Sequence, residues 1–107
     1  MPDAPADRVA QLRALIARMP EDETLRFILG RHLAEAGASE EAIAEFEAAL
    51  SLKPGFTAVY LALGKTLQKA GRLDDARKVY EDGLRVAEET KDEMTRKAME
   101  SLLRNLD

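Results

Sequence analysis

Apolar residues recur at spacings of three and four along most of the chain, which is the period of an amphipathic α-helix. The pattern predicts six helices and no strands. They cover about residues 7–19, 22–36, 39–53, 57–70, 74–89 and 92–106, after a loose lead-in at residues 1–6. The expected fold class is therefore all-α.

Residues with known helix-end preferences mark several of these boundaries. Asp7 and Ser39 are predicted N-caps, because their side-chain oxygens can accept from free backbone N–H groups. Gly37 and Gly71 follow helices two and four, where a left-handed residue is preferred. Pro20 and Pro54 end the first and third helices, because the residue before a proline avoids the α region.

The boundary between the fifth and sixth helices has no glycine or proline to mark it. We predict a turn at residues 90–92, with Asp92 as the next N-cap. One long helix through residues 88–94 is the alternative.

The first and last helices each have a single apolar face, which suits helices that cap a core. The first face contains Val9, Leu12, Leu15, Ile16 and Met19. The last contains Met94, Ala98, Met99, Leu102, Leu103 and Leu106.

A similar nine-residue segment occurs twice, as LGRHLAEAG at 29–37 and LGKTLQKAG at 63–71, with an offset of 34 residues. Without gaps, residues 23–56 and 57–90 share eight identities. Gly30 and Gly64 are inside helices, where glycine costs about 1 kcal/mol relative to alanine. Their repetition indicates close packing of two helices.

We expect Ala42 and Ala76 to be the small residues near this crossing, and Phe46 and Tyr80 to fill the wider space beyond it. A helix–turn–helix unit of 34 residues with this pattern resembles the tetratricopeptide repeat family.

The resemblance covers residues 23–90 and implies antiparallel helix–turn–helix repeats stacked as a short right-handed α-solenoid. Residues 1–107 then form a single domain: a half-repeat helix at 7–19, repeats at 23–56 and 57–90, and a capping helix at 92–106. Arg26, Gly83 and Glu88 depart from the family pattern, which has a large apolar residue, alanine and proline at those places.

Composition and charge exclude several classes of function. The chain has no cysteine, so it has no disulfide and no Cys-ligated metal, and we expect a cytoplasmic protein. A net charge of −4 argues against a nucleic-acid partner. No apolar run is long enough to span a membrane.

The sequence has no recognisable catalytic or cofactor-binding motif, so we expect neither an enzyme nor a cofactor. The chain has one histidine, His32, for which a surface or partly buried position is the simpler interpretation. The acidic run Glu40, Glu41, Glu45 and Glu47 is more typical of a solvated helix face than of paired catalytic carboxylates.

In the family, the first helix of each repeat lines a concave groove that holds a partner's peptide or helix. By matching position, the resemblance implies groove residues Thr24, Phe27, Arg31, Ala34 and Glu35 in the first copy, and Ala58, Leu61, Lys65, Gln68 and Lys69 in the second. Phe27 and Leu61 are large apolar residues at a position that the internal core does not need. Ordinary half-exposed helix residues are the alternative interpretation.

Charge differs between the first and second helices of the repeats. Residues 57–70 have two lysines and no acids, whereas residues 73–89 have three bases against six acids. This distribution favours an acidic or amphipathic partner segment.

Two functions fit this sequence. The first is a monomeric, non-catalytic adaptor that binds a protein partner in the groove. The alternative is a structural building block that self-associates or is a constitutive subunit of a larger assembly.

Overall fold

The computed structural model describes residues 5–106, with side chains from residue 7 onward. Within this range six α-helices are present: α1 Pro5–Arg18, α2 Glu23–Glu35, α3 Ser39–Leu52, α4 Thr57–Lys69, α5 Leu73–Thr90 and α6 Glu93–Asn105. The predicted all-α class and the helix–turn–helix repeats are confirmed. Of the predicted lead-in, residues 1–4 are outside the described range and residues 5–6 belong to α1.

Two compact units divide the chain, residues 1–54 and residues 55–107. Unit 1 holds α1, α2 and α3, and unit 2 holds α4, α5 and α6. The single-domain organisation and the right-handed stacking of the repeats stay predictions.

The core of unit 1 is apolar and comes from all three of its helices. Its buried residues are Leu12, Ile16, Leu29, Leu33, Ala42, Ile43, Phe46 and Ala49. A Cβ built on Gly30 would be 2.5 Å from Cε1 of Phe46. The glycine is therefore needed because an aromatic ring of α3 lies directly on the backbone of α2, and not, as predicted, in a wider space beyond the crossing.

Unit 2 repeats this arrangement in its own core. The buried residues are Val59, Leu63, Leu67, Ala76, Tyr80, Ala87 and Met99. The Tyr80 ring lies against Gly64, again where a Cβ would overlap it. Gly83 is explained too, since a Cβ there would be 2.6 Å from Sδ of Met99 and 2.8 Å from Cβ of Tyr60.

The ends of α2 and α4 match their prediction. Gly37 and Gly71 have φ of 84° and 80°. The N–H of Ala38 donates to the Leu33 carbonyl at 2.9 Å, and Arg72 donates to Leu67 in the same way. These bonds use carbonyl groups that a helix end leaves unpaired.

Two predicted N-caps are wrong. Helix α1 begins at Pro5, so Asp7 is in its first turn and not at its cap. Ser39 is the first residue of α3, and the N-cap is Ala38 with no side-chain hydrogen bond. Both acidic and polar residues are also favourable inside the first turn, and the sequence does not separate that place from the cap.

The predicted turn is present at residues 91–92, since Thr90 is the last residue of α5, and the single long helix is wrong. Lys91 has φ of 59°, and the Asp92 carboxylate accepts from the backbone N–H of Thr95 at 3.1 Å. The other oxygen of Asp92 accepts from the hydroxyl of Thr57 at 2.5 Å, which ties the start of α4 to the α5–α6 turn.

The apolar face predicted for α1 is only half buried. Leu12 and Ile16 belong to the core, whereas Leu15 and Met19 are 41% and 47% exposed. On α6 Met99 is fully buried and Met94 is 86% exposed. Spacing alone groups these residues on one face but does not determine how much of that face a neighbouring helix covers.

Candidate functional site

The first helices of the two repeats carry the predicted partner-binding residues, and each is described within its own unit. The α2 face consists of Thr24, Phe27, Arg31, Ala34 and Glu35. The α4 face consists of Ala58, Leu61, Lys65, Gln68 and Lys69. Spacings of three and four place each set along one side of its helix.

On the α2 face, an arginine lies over an aromatic ring. The guanidinium carbon of Arg31 is 5.6 Å from the ring centroid of Phe27, which is within the range of a cation–π interaction. Arg31 is exposed and Phe27 is half-buried. The face therefore offers a positive charge that is held next to an apolar surface.

Phe27 has a second role that the sequence did not show. Its ring centroid is 6.1 Å from that of Phe46, with the two rings tilted by 47°. Since Phe46 is buried in the core of unit 1, the prediction that the core does not need Phe27 is wrong. Phe27 connects the core to the face.

Arg26 is directed toward α3. Its Nη1 donates to Oε1 of Glu45 at 3.1 Å, and both side chains are largely buried. This ion pair accounts for an arginine where the family pattern has a large apolar residue. It also leaves Arg31 as the arginine that α2 exposes on its predicted face.

The α4 face has no acidic residue, and Lys65 and Lys69 are both exposed. Gln68 is half-buried, and its Oε1 accepts from the hydroxyl of Tyr80 at 2.7 Å. Burial raises the pKa of Tyr80 to about 12, so this hydroxyl remains a donor at neutral pH. The bond fixes the side chain of Gln68 beside the lysines.

Some acidic residues of α3 and α5 pair with arginines. Arg13 of α1 pairs with Glu41 of α3 at 2.8 Å, and Arg72 pairs with Asp75 at 3.0 Å. Arg85 pairs with Asp82. These exposed pairs screen part of the predicted negative charge, although each contributes little to stability.

A shallow depression on α2 was not predicted from the sequence. It is lined by Ile28, Arg31, His32 and Glu35 and has a volume of about 160 Å³. The spacing of three, four and seven residues from Ile28 was a signal that could have found it. His32 is half-buried, in agreement with its interpretation as a surface or partly buried residue.

The described residues show no further candidate chemistry. Among them, no group of three or more histidine or acidic side chains is placed to hold a metal ion. No helix in the described range is long and apolar enough to cross a membrane.

Comparison with known proteins identifies the class of helical repeat. Two family models, both described as tetratricopeptide repeat, match residues 33–94 and residues 8–55. The chain belongs to the tetratricopeptide repeat family. Tetratricopeptide repeats generally mediate protein–protein interactions and are typically non-catalytic.

Solved structures of similar proteins agree with this assignment. Protein BPP2914 from Bordetella parapertussis is 34% identical with a TM-score of 0.81, over 92% of this chain and 85% of that one. A tetratricopeptide repeat domain protein from Salinibacter ruber is 26% identical with a TM-score of 0.76, and the match covers 82% of this chain and 89% of that one.

The TPR2B domain of yeast Sti1, solved in a complex described as TPR2B-domain:pHsp70, has a TM-score of 0.89 over 95% of this chain and 82% of that one. Its sequence identity to this chain is 19%, so the similarity is one of fold alone. A comparison with proteins of curated function gives no match.

Proposed function

We propose that this chain is a non-catalytic interaction module that binds a peptide or helical segment of a partner protein through the α2 and α4 faces. The observation that carries the proposal is the repetition of a positive charge beside an apolar residue on the first helix of each repeat. Arg31 follows Phe27 by four residues, and Lys65 follows Leu61 by four residues.

The chemistry of these faces favours an acidic, amphipathic partner segment. Lys65 and Lys69 lie on a helix without acids, and Arg31 is exposed over the Phe27 ring. Half-buried Phe27 and Leu61 can receive apolar side chains, while the three cations attract carboxylates. A helical segment with alternating acidic and apolar residues at spacings of three and four meets both requirements.

Family membership supports protein binding as the activity, and a complex is known for the fold-related Sti1 domain. The identity of the segment, the adaptor role and a cytoplasmic location remain parts of the proposal.

Charge reversal on the two faces tests this function. The double variant Arg31→Glu with Lys65→Glu is expected to lose the partner that the wild-type chain captures from a lysate, because both anchoring charges are inverted. The matched control, Lys78→Glu with Lys97→Glu, changes the net charge equally at exposed positions on α5 and α6.

Both double variants should keep the wild-type circular dichroism spectrum, because all four side chains are exposed. A partner retained equally by the wild-type chain and the Arg31/Lys65 variant would refute the assignment of these faces. Equal loss in both double variants would indicate an effect of net charge instead.

A further inference from the structure

Two surfaces outside the α2 and α4 faces expose apolar residues. The α1 surface consists of Arg8, Leu15 and Met19, which lie on one side of α1 and at its end. The α5–α6 groove, with a volume of about 360 Å³, is lined by Leu84, Glu100, Leu103 and Arg104.

The repeat period identifies the side of α1 that is exposed. Arg8, Leu12 and Leu15 lie 34 residues before Ala42, Phe46 and Ala49. Those three residues of α3 are buried and share the helix face whose Phe46 ring packs on Gly30 of α2. The α1 surface therefore belongs to the side by which a second helix packs onto a first helix.

The α5–α6 groove includes the opposite half of such a pair. Met99 is the seventh residue of α6, as Leu29 and Leu63 are of α2 and α4, and all three are buried. Glu100 is then at the place of Gly30 and Gly64, on which the aromatic rings pack. Leu103 is at the place of Leu33 and Leu67.

The two surfaces also differ in charge. Arg8 lies one turn from Leu12, on the same side of α1. The charged residues of α1 are three arginines and one aspartate, whereas α5 and α6 together have six bases against eight acids.

From these observations we propose that the α5–α6 groove binds α1 of a second copy of this chain. The two helices form a repeat-like pair between molecules, with Leu15 and Met19 against Leu84 and Leu103, and Arg8 close to Glu100. In the isolated chain Glu100 already accepts from Nη1 of Arg96 at 2.8 Å. The opposite net charges of α1 and of the α5–α6 helix pair favour association of the two copies.

This contact joins different surfaces on the two copies, so it does not close on itself by a twofold axis. Each copy keeps one unused surface after pairing. The species that form are therefore expected to grow with protein concentration beyond a dimer.

Complementary variants test the contact on the 107-residue chain by sedimentation velocity and mass photometry. Leu15→Glu removes the α1 surface and leaves the groove, whereas Leu103→Glu removes the groove and leaves the α1 surface. Each variant alone is expected to be monomeric at concentrations where the wild-type chain associates. An equimolar mixture is expected to form a one-to-one dimer and nothing larger.

The matched control is Leu52→Glu, because Leu52 is 39% exposed and outside both surfaces. It should associate as the wild-type chain does. If Leu103→Glu fails to fold by circular dichroism, Leu103→Ser replaces it, since a shorter polar side chain disturbs half-buried surroundings less.

Three results would overturn the proposal: a wild-type chain that stays monomeric at millimolar concentration, a Leu15→Glu variant that associates normally, or complementary variants that do not pair when mixed. Partner capture through the α2 and α4 faces should be unchanged in Leu15→Glu. The two proposals therefore fail independently.

Discussion

The ring of Tyr80 lies directly against the backbone of Gly64, and a Cβ on that glycine would overlap the ring. Tyr80 is fully buried, so the ring has no solvent-filled space into which it could move. The same relationship joins Phe46 to Gly30 in unit 1. It explains why each repeat accepts a glycine inside a helix.

We expect Gly64→Ala to destabilise the protein. Alanine gains about 1 kcal/mol in helix propensity, but overpacking a core costs about 1–3 kcal/mol. Since the added Cβ would overlap a fully buried ring, the packing cost should be the larger effect. Urea unfolding measures the free energy of unfolding of each variant.

Gly55→Ala is the control for that measurement. At Gly55 the nearest side-chain atom to an added Cβ is Cγ2 of Thr90 at 3.9 Å, an ordinary contact. If Gly64→Ala were as stable as Gly55→Ala, the packing of Tyr80 on Gly64 would not hold in solution.

Stability should fall at high pH because of Tyr80. Burial raises the pKa of Tyr80 to about 12 in the folded protein, whereas an unfolded tyrosine has a pKa of about 10. Between these values the unfolded chain binds fewer protons than the folded one, so the free energy of unfolding falls as pH rises.

Tyr80→Phe removes this titration and the hydrogen bond to Gln68. We expect a loss of about 1 kcal/mol at neutral pH, the typical value of one hydrogen bond. Above pH 10 the variant should lose less stability per pH unit than the wild-type chain. Urea titrations at several alkaline pH values compare the slopes, and parallel slopes would count against a buried Tyr80 hydroxyl.

Low pH should weaken the hydrogen bond from the Thr57 hydroxyl to the Asp92 carboxylate. Two hydrogen bonds lower the pKa of Asp92: the one from the Thr57 hydroxyl has the larger effect, and the one from the backbone N–H of Thr95 has the smaller. Its contribution to stability is therefore present above the pKa of an unfolded aspartate and is lost as pH falls through the folded value. Thr57→Val should reduce this acid sensitivity and cost about 1 kcal/mol at neutral pH.

Thr66→Val is the matched control, because Thr66 is also buried but donates to the backbone carbonyl of Ala62 at 2.8 Å. It should leave the pH dependence between neutral and acid conditions unchanged. Identical acid profiles for Thr57→Val and the wild-type chain would exclude the role given to the Thr57–Asp92 bond.

Lys91→Gly should stabilise the α5–α6 turn. Lys91 has φ of 59°, a conformation in which a side chain costs about 1–2 kcal/mol relative to glycine. The greater freedom of glycine in the unfolded chain offsets part of that gain. We expect a net increase of about 0.5–1 kcal/mol in the free energy of unfolding.

Gly71→Ala makes the reverse change at a residue whose φ is 80°, so it should destabilise the protein. Thermal unfolding of Lys91→Gly and Gly71→Ala would show shifts of opposite sign. A shift of the same sign in both would mean that Lys91 does not adopt the left-handed conformation in solution.

Local chemistry made much of the fold predictable. The spacing of apolar residues predicted six helices, and the sequence similarity at an offset of 34 residues predicted the two repeats. Gly37 and Gly71 marked helix ends because a left-handed residue is a property of one position in the backbone. The Asp92 cap was predictable for the same reason.

The tertiary structure alone decided which partner each residue meets. Periodicity placed Leu15 and Leu12 on one face, but in the folded unit Leu12 is buried and Leu15 is exposed. Similarly, the position of Phe27 in the sequence does not indicate that its ring lies beside the buried ring of Phe46. A helical period defines the direction of each side chain about its own axis, whereas burial depends on the distance to another helix, and the local sequence does not encode that distance.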